Sequence, residues 1–188
     1  MINLKYYRGE RYNKEINNIN YKRGFTLIEL LITVAIIGII VAIAIPNMMN
    51  AWDKARQKRS MADLRAWGLA LNSYFVDHNF FPYGSPGEIT PDFYLYKIIS
   101  GMKELTPPPY RDGWNNSFYY FPGGDSLQLS QIYTIASFGK GNAMDATPLP
   151  NFKCFQCDIS FKGNRFYTKP NGPQIDSPTQ SCDPSLCR

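Results

Sequence analysis

The feature that most constrains this chain is one apolar segment, Phe25 to Ile45, whose 21 residues include a single formally charged side chain, Glu29. As a helix, a segment of this length crosses a bilayer core of about 30 Å. It is longer than the apolar part of a secretory signal peptide, and no small-residue cleavage site follows it. We therefore predict a membrane-spanning helix over residues 25–45.

Glu29 lies near the start of this segment, where a carboxylate is costly. Thr26 and Glu29 have the S/T-x-x-E spacing of a capping box, so one interpretation is that the acid only caps the helix. An unpaired acid in a bilayer costs on the order of 3 kcal/mol, and the other interpretation is that Glu29 needs a cation within the membrane. The nearest source of that cation would be a freed amine.

The basic character of the chain is concentrated in front of the apolar segment. Residues 1–24 hold six Lys or Arg and two Glu, which accounts for most of the formal net charge of +5. By the positive-inside rule this end stays in the cytoplasm, so the charge does not indicate a nucleic-acid partner. A second basic cluster beyond the segment weakens the orientation argument; it consists of Lys54, Arg56, Lys58 and Arg59.

The sequence KRGFTLIELLITVAIIGIIVAIAIP resembles the N-terminal signature of type IV pilins and of the pseudopilins of type II secretion. The match covers Gly24, Phe25, Glu29, Gly38 and Pro46 at the spacings of that family. The resemblance implies that a prepilin peptidase cuts after Gly24 and removes a leader peptide. It also implies that Phe25 becomes the first residue and is N-methylated.

The same resemblance implies assembly roles for Glu29 and Pro46. In that family the acid pairs with the N-terminal amine of a neighbouring subunit, and a buried acid and a buried ammonium are each costly alone but tolerable together. Pro46 removes a backbone donor, so we expect it to kink or locally open the helix. The resemblance implies that the segment around it loses helicity when subunits pack into a filament.

The pattern changes from wholly apolar to amphipathic after Pro46. Apolar residues recur there at three- and four-residue steps, as on a helix packed against a globular domain. We predict an amphipathic helix over 46–78 that continues the first, and a surface position for the lone His78. The stripe consists of Met61, Leu64, Gly68, Leu71 and Phe75, with Trp67 and Tyr74 beside them.

Residues 79–151 are rich in turns and short apolar runs, which predicts a small head domain. We expect a short helix over 93–100, a strand over 117–121, and one or two strands within 127–137. Together with the long helix these elements predict a pilin-like α+β fold, in which a small antiparallel sheet packs on that helix.

Two stretches of the head, DGWNNSFYY and YTIASFGKGN, resemble the sheet motifs of the major-pseudopilin branch of the family. In that branch the loop after the second motif binds calcium. Gly141 stands where the resemblance implies an aspartate, and Asp145 is the only acidic candidate nearby. Calcium needs several oxygen ligands. We expect no required cofactor, and Asp145 is the candidate ligand for the Ca²⁺ that the resemblance implies.

The last part of the chain, residues 152–188, is an extension that contains all four cysteines. An even number in a Pro- and Gly-rich tail predicts disulfides and an oxidising compartment. Their C-x2-C…C-x4-C spacing also fits a zinc site, and sequence does not choose among the three pairings. Such a tail is similar to the disulfide-bounded loops of type IV pilins. The four residues are Cys154, Cys157, Cys182 and Cys187.

No hydrolase, zinc-protease, Walker or dinucleotide motif occurs in the sequence, so an enzyme is not indicated. We predict a filament subunit, most like a major pseudopilin in protein secretion, made in the bacterial inner membrane with its head outside the cytoplasm. Expected partners are further copies, related minor pilins or pseudopilins, the prepilin peptidase and the inner-membrane assembly machinery. One alternative is a pilus subunit for adhesion, motility or DNA uptake.

A second alternative is a binding module on a single-pass anchor, with an aromatic-rich domain that recognises a carbohydrate, a peptide or a nucleic acid. In that case the basic cluster of residues 54–59 would contact anionic lipid or DNA. A charge run beside a membrane helix is more commonly a solvated or headgroup-facing patch. The sequence therefore favours the filament over the anchored module.

Overall fold

The computed structural model describes residues 24–102, 106–123, 131–145, 150–176, 182 and 184–187, without the side chains of residues 184 and 186. Contacts within the chain divide it into two units, one ending at Ala44 and the other beginning at Ile45. A long helix contributes to both units. The second unit, called here the globular unit, also contains the sheet and the shorter helices.

The long helix α1 spans Leu27–His78, which confirms the prediction of a single long helix. The helix continues through Pro46. In the single chain, therefore, Pro46 does not interrupt the helix. The helix ends where Asn79 adopts a left-handed conformation with φ of 63°. The Asn79 N–H donates to the carbonyl of Phe75 at 2.7 Å, a common way to terminate a helix.

The sheet has six strands in the order β1-β2-β3-β5-β6-β4. Neighbouring strands are antiparallel except for β4 and β6, which run parallel. Helix α2 (Tyr94–Gly101) lies between β1 and β2 in the chain, and α3 (Pro184–Cys187) follows β6. The strands are β1 Gly87–Glu88, β2 Tyr119–Gly123, β3 Ile132–Ser137, β4 Asn151–Cys154, β5 Ile159–Lys162 and β6 Arg165–Ile175.

These elements confirm the predicted α+β fold. Helix α2 lies one residue from the range predicted for it, and β2 overlaps the strand predicted over 117–121. Strand β3 occupies the end of the range 127–137, of which residues 127–130 lie outside the described part of the chain.

The amphipathic half of α1 packs on the sheet through Leu64, Trp67 and Leu71, whose exposed fraction is 0%. They belong to one buried cluster with Tyr133 and Ile135 of β3. Burying one large apolar side chain stabilises a fold by about 1.5–3 kcal/mol, so this seam contributes much of the stability of the globular unit. The apolar stripe predicted from the sequence is therefore the face that α1 buries.

The C-terminal extension adds a hairpin that the sequence analysis did not predict. Strands β5 and β6 pair at Lys162 and Arg165, which leaves a two-residue turn of Gly163 and Asn164. Both turn residues have positive φ, 51° and 69°, as a type I′ hairpin turn requires. Since β5 also pairs with β3, this part of the extension belongs to the same sheet as the head strands.

The four cysteines form two disulfides, which confirms that prediction and selects one of the three pairings. Cys154 is bonded to Cys187, and Cys157 to Cys182. The zinc alternative is wrong in this structure, because no cysteine is free to supply a thiolate. One bond attaches Cys187 to the last residue of β4, and the other attaches Cys182 to the segment between β4 and β5.

Candidate functional site

The start of α1 carries a reciprocal capping arrangement between Thr26 and Glu29. One carboxylate oxygen of Glu29 accepts hydrogen bonds from the Thr26 N–H at 2.9 Å and from the Thr26 hydroxyl at 2.7 Å. The Glu29 N–H donates in turn to the Thr26 hydroxyl oxygen at 3.3 Å. This is the geometry of a capping box, so in the single chain Glu29 caps its own helix.

The predicted cleavage site lies just before this cap and is not covered by other described residues. Gly24 and Phe25 precede the helix, and Phe25 is 77% exposed. A Cβ atom placed on Gly24 would meet no atom of the described residues within 4 Å. Among the described residues, nothing covers the peptide bond between Gly24 and Phe25.

The apolar part of α1 has no cover within the structure. Every residue from Gly24 to Trp52 is exposed, including a nearly continuous series of Ile, Leu and Val side chains. Within the described part of the chain, α1 is the one helix long and apolar enough to cross a membrane. An apolar surface of this extent requires lipid or the helices of other molecules around it.

Beyond Trp52, buried polar residues of α1 contact Lys140, in the turn after β3, and Gln174, near the end of β6. The Lys140 ammonium lies 2.9 Å from the carboxylate of Asp53 and 2.5 Å from that of Asp176. Partial burial would lower the pKa of Lys140, but its bonds to the two carboxylates raise it above the usual value. Gln57 donates to Gln174 at 3.2 Å. These contacts attach the C-terminal extension directly to the helix.

The DGW motif forms a turn around the buried carboxylate of Asp112. One oxygen accepts from the N–H groups of Trp114 and Asn116, both at 2.9 Å, and the other accepts from the Ser137 hydroxyl at 2.7 Å. Burial raises the pKa of Asp112, and these three hydrogen bonds oppose that rise. The carboxylate thus holds the loop before β2 against the end of β3.

Asp145, the predicted calcium candidate, lies beside the disulfide of Cys157 and Cys182. One carboxylate oxygen accepts from the Asp158 N–H at 2.9 Å, and the other from the Cys182 N–H at 3.3 Å. Each oxygen therefore already accepts one hydrogen bond from a backbone amide, which fixes the orientation of the carboxylate. In the described structure Asp145 positions the disulfide-bonded segment, and calcium stays a prediction.

Asp158 completes this arrangement from the other side. Its carboxylate accepts the Asp145 N–H at 3.0 Å, while its second oxygen is buried with no hydrogen-bond partner among the described residues. Burial raises the pKa of Asp158 to about 7, and the neighbouring Asp145 charge adds to the rise. Burial also raises the pKa of Asp145, so both carboxyl groups are less acidic than usual.

The chain is similar to known proteins both in its N-terminal segment and over most of its length. Residues 19–45 match the family described as "Prokaryotic N-terminal methylation motif". The type II secretion system core protein G of Pseudomonas aeruginosa is 30% identical over 135 residues, which cover 65% of this chain and 88% of that protein. The chain belongs to the type II secretion system core protein G family.

Other similarities agree with this assignment. The core protein G of Vibrio cholerae is 28% identical over 127 residues, which cover 62% of this chain and 82% of that protein. The type IV major pilin protein PilA of Myxococcus xanthus is 51% identical over 55 residues, only 29% of this chain and 25% of that pilin. No solved structure matches the chain significantly. The resemblance to pilins and pseudopilins is thus confirmed, with core protein G as the family.

Sequence reasoning missed the polar contacts between α1 and the rest of this core protein G relative. Asp53, Gln57 and Ser60 are buried, and they continue the three- and four-residue spacing of the apolar stripe toward the N-terminus. A polar residue in register with a buried stripe indicates that a buried partner exists. It does not reveal that the partner of Asp53 is Lys140, which is 87 residues away in the chain.

Proposed function

We propose that this protein is a structural subunit that polymerises through α1 into the pseudopilus of a type II secretion system. The observation that carries the proposal is the fully exposed apolar part of α1, which has one carboxylate near its start, in a chain of the core protein G family. Lipid can cover this surface before assembly, and the same part of neighbouring copies can cover it afterwards.

Processing prepares the helix for assembly. Cleavage between Gly24 and Phe25 removes the leader and creates a new ammonium group four residues before Glu29. The match of residues 19–45 to a methylation motif supports N-methylation of Phe25. A methylated secondary amine remains protonated and so remains a cation.

The charge of Glu29 sets the register between subunits. A carboxylate has about four acceptor positions, and the contacts with Thr26 occupy only one of the two oxygens. The ammonium of a neighbouring Phe25 can therefore bind Glu29 without displacing the cap. Each charge is costly alone in an apolar surrounding, so the pair favours one axial offset between helices over others.

The leader, the apolar part of α1 and the disulfides together indicate where the protein is located and what it binds. The leader stays in the cytoplasm, α1 crosses the inner membrane, and the globular unit lies outside, where an oxidising compartment permits its two disulfides. The partners are further copies, related minor pseudopilins, the prepilin peptidase and the assembly machinery of that membrane. The proposal assigns no catalytic activity to the chain.

A second candidate is a type IV pilus subunit for adhesion, motility or DNA uptake. Two observations favour it: the match to a major pilin over 55 residues, and a C-terminal extension closed by disulfides. Deletion of the gene separates the two candidates. Loss of an exported protein from the medium supports the pseudopilus, and loss of surface filaments with normal export supports the pilus.

Mass spectrometry of the membrane fraction, combined with two variants of Glu29, tests the proposal. We expect a mature chain that begins with methylated Phe25, and loss of filaments in both Glu29→Ala and Glu29→Gln. The Gln variant keeps a side-chain acceptor for the cap but has no charge. Normal assembly of Glu29→Gln would reduce the role of Glu29 to capping, and an intact leader would favour the anchored binding module.

The proposed filament function requires no cofactor, and calcium binding at Asp145 is a separate proposal. It rests only on the resemblance of the loop after β3 to a calcium-binding loop, since both oxygens of Asp145 already accept hydrogen bonds from amides. Thermal unfolding in calcium and in a chelator tests it. A melting temperature that is higher in calcium would support binding, and equal values would remove the prediction.

A further inference from the structure

A groove of about 890 Å³ lies between α1 and the β5–β6 hairpin. Its floor is apolar: Phe161 of β5 and Phe166 of β6 lie on one side, and Leu69 of α1 on the other. Leu69 is 70% exposed although it belongs to the part of α1 that packs on the sheet. The side chain of Asn72 donates to that of Asn164 and so ties the hairpin tip to the helix.

The charged residues that line this groove are all basic. They are Arg65 of α1 and Arg165 and Lys169 of β6, and all three are exposed. The guanidinium of Arg65 lies 5.1 Å from the centre of the Phe166 ring. An apolar floor with a cationic rim is complementary to a surface that offers apolar side chains and carboxylates.

The same chain offers such a surface at the other side of the sheet. In the strand order, β1 lies at one edge, whereas β6 and β4 lie at the opposite end. Glu88 of β1 and Asp92, in the turn before α2, are exposed, and exposed Tyr83 and Pro86 precede them. Asp92 lies 3.4 Å from Lys97, but a surface pair of this kind is weak and exchanges easily.

We propose that the groove binds the edge of a second copy of this chain, with Arg165 and Lys169 of one copy facing Glu88 and Asp92 of the next. This inference rests on the proposed filament function and adds to it a second contact, made by the globular units.

The placement of the two surfaces explains why this contact favours a filament. A surface that binds a different surface on an identical molecule makes a heterologous contact, which either closes into a ring or continues as a helix. Because the two surfaces lie at opposite sides of one sheet, each globular unit can bind one neighbour on each side. The paired charges at the rim then fix which surfaces meet.

Charge reversal in the full-length protein, produced in its own cells, tests the proposal. The groove variant carries Arg165→Glu and Lys169→Glu. The edge variant carries Glu88→Lys and Asp92→Lys, and the combined variant carries all four changes. Filament mass is measured by immunoblotting of the sheared or pelleted fraction. Like charges that face each other oppose the contact, so we expect each double variant to lose roughly tenfold or more of its filament mass. We expect the combined variant to recover most of it.

Lys153→Glu is the control, because Lys153 is exposed on β4 but does not line the groove. It should assemble like the parent chain, and non-reducing electrophoresis should show both disulfides in every variant. Recovery in the combined variant distinguishes a contact between copies from a folding defect, which a second pair of substitutions would not repair.

Three kinds of outcome would overturn the groove contact, and only the last of them would also overturn the filament function. Double variants that assemble normally, or a combined variant no better than they are, would remove the groove contact and leave the filament function intact. Retention of normal assembly with loss of binding to added double-stranded DNA would assign the groove to a polyanion instead. Absence of filaments from the parent chain would remove the filament function together with the groove contact.

Discussion

Gly113 approaches α1 so closely that a Cβ atom in its place would lie 2.1 Å from the carbonyl oxygen of Arg56. The Gly113 N–H donates to the hydroxyl of Ser60 at 2.9 Å, one turn further along the helix. The loop of Asp112, Gly113 and Trp114 thus packs directly against the backbone of α1. Its glycine is needed for the close approach, because any side chain would push the loop away from the helix.

We expect Gly113→Ala to lower the free energy of unfolding by on the order of 3 kcal/mol, since the added methyl group meets backbone atoms that cannot turn aside. The measurement is thermal unfolding of the detergent-solubilised protein, where each kcal/mol corresponds to roughly 2–4 °C for a chain of this size. Gly101→Ala is the matched control, because a Cβ at Gly101 would meet no atom of the described residues within 4 Å. Equal melting temperatures for the two variants would contradict the account of this contact.

The buried Asp158 predicts a dependence of stability on pH. Its ordinary pKa of 3.8 is raised to about 7 in the folded chain, chiefly by burial. Between these values the folded protein holds a proton that the unfolded chain has lost, so this group makes stability fall as pH rises. We expect Asp158→Asn to flatten the fall in melting temperature between about pH 4 and 7, the interval set by the two pKa values.

The measurement for Asp158 is a series of unfolding curves in a metal chelator at several pH values. Asp77→Asn removes an exposed carboxylate from the end of α1 and should leave the slope of the parent chain unchanged. If Asp158→Asn kept the slope of the parent chain, the proposed titration of this carboxyl would be refuted.

The two disulfides predict a large effect of reduction. They connect residues 33 and 25 positions apart, and closing loops of this size stabilises a fold by about 3–4 kcal/mol each in the chain-entropy account. We expect a reductant to lower the melting temperature strongly, and Cys157→Ala with Cys182→Ala to produce part of that shift without a reductant. Mass spectrometry after alkylation gives the number of free thiols. An unchanged melting temperature with four alkylated cysteines would count against the prediction.

The sequence predicted most fully those elements whose signal is local. The long helix follows from an unbroken apolar run that passes into a three- and four-residue stripe, and the stripe identified Leu64 and Leu71 as buried. The Gly163–Asn164 turn also has a local signal, because Gly and Asn stand as a two-residue loop between two short strand-like segments. This signal is sufficient to predict the β5–β6 hairpin from the sequence. The helix, its buried face and the presence of disulfides were therefore within reach of sequence reasoning.

Contacts between distant residues were not predictable in the same way. The pairing of Cys154 with Cys187 depends on how the end of the chain returns to β4, and the sequence permits three pairings. Lys140 binds both Asp53 and Asp176, yet each residue alone looks like an ordinary surface charge. The groove beside Phe166 exists only because the hairpin packs on α1. Such features depend on the tertiary fold rather than on local pattern.

In the proposed filament, Glu29 of one subunit binds the N-terminus of another. The most direct measurement is an electron cryomicroscopy structure of filaments sheared from cells, at a resolution that shows side chains. We expect Phe25 to be the first residue, with its amine within about 4 Å of the Glu29 carboxylate of a neighbouring copy, the usual limit for an ion pair. A filament in which Glu29 faces lipid or apolar side chains, with no amine from another copy beside it, would contradict the claim.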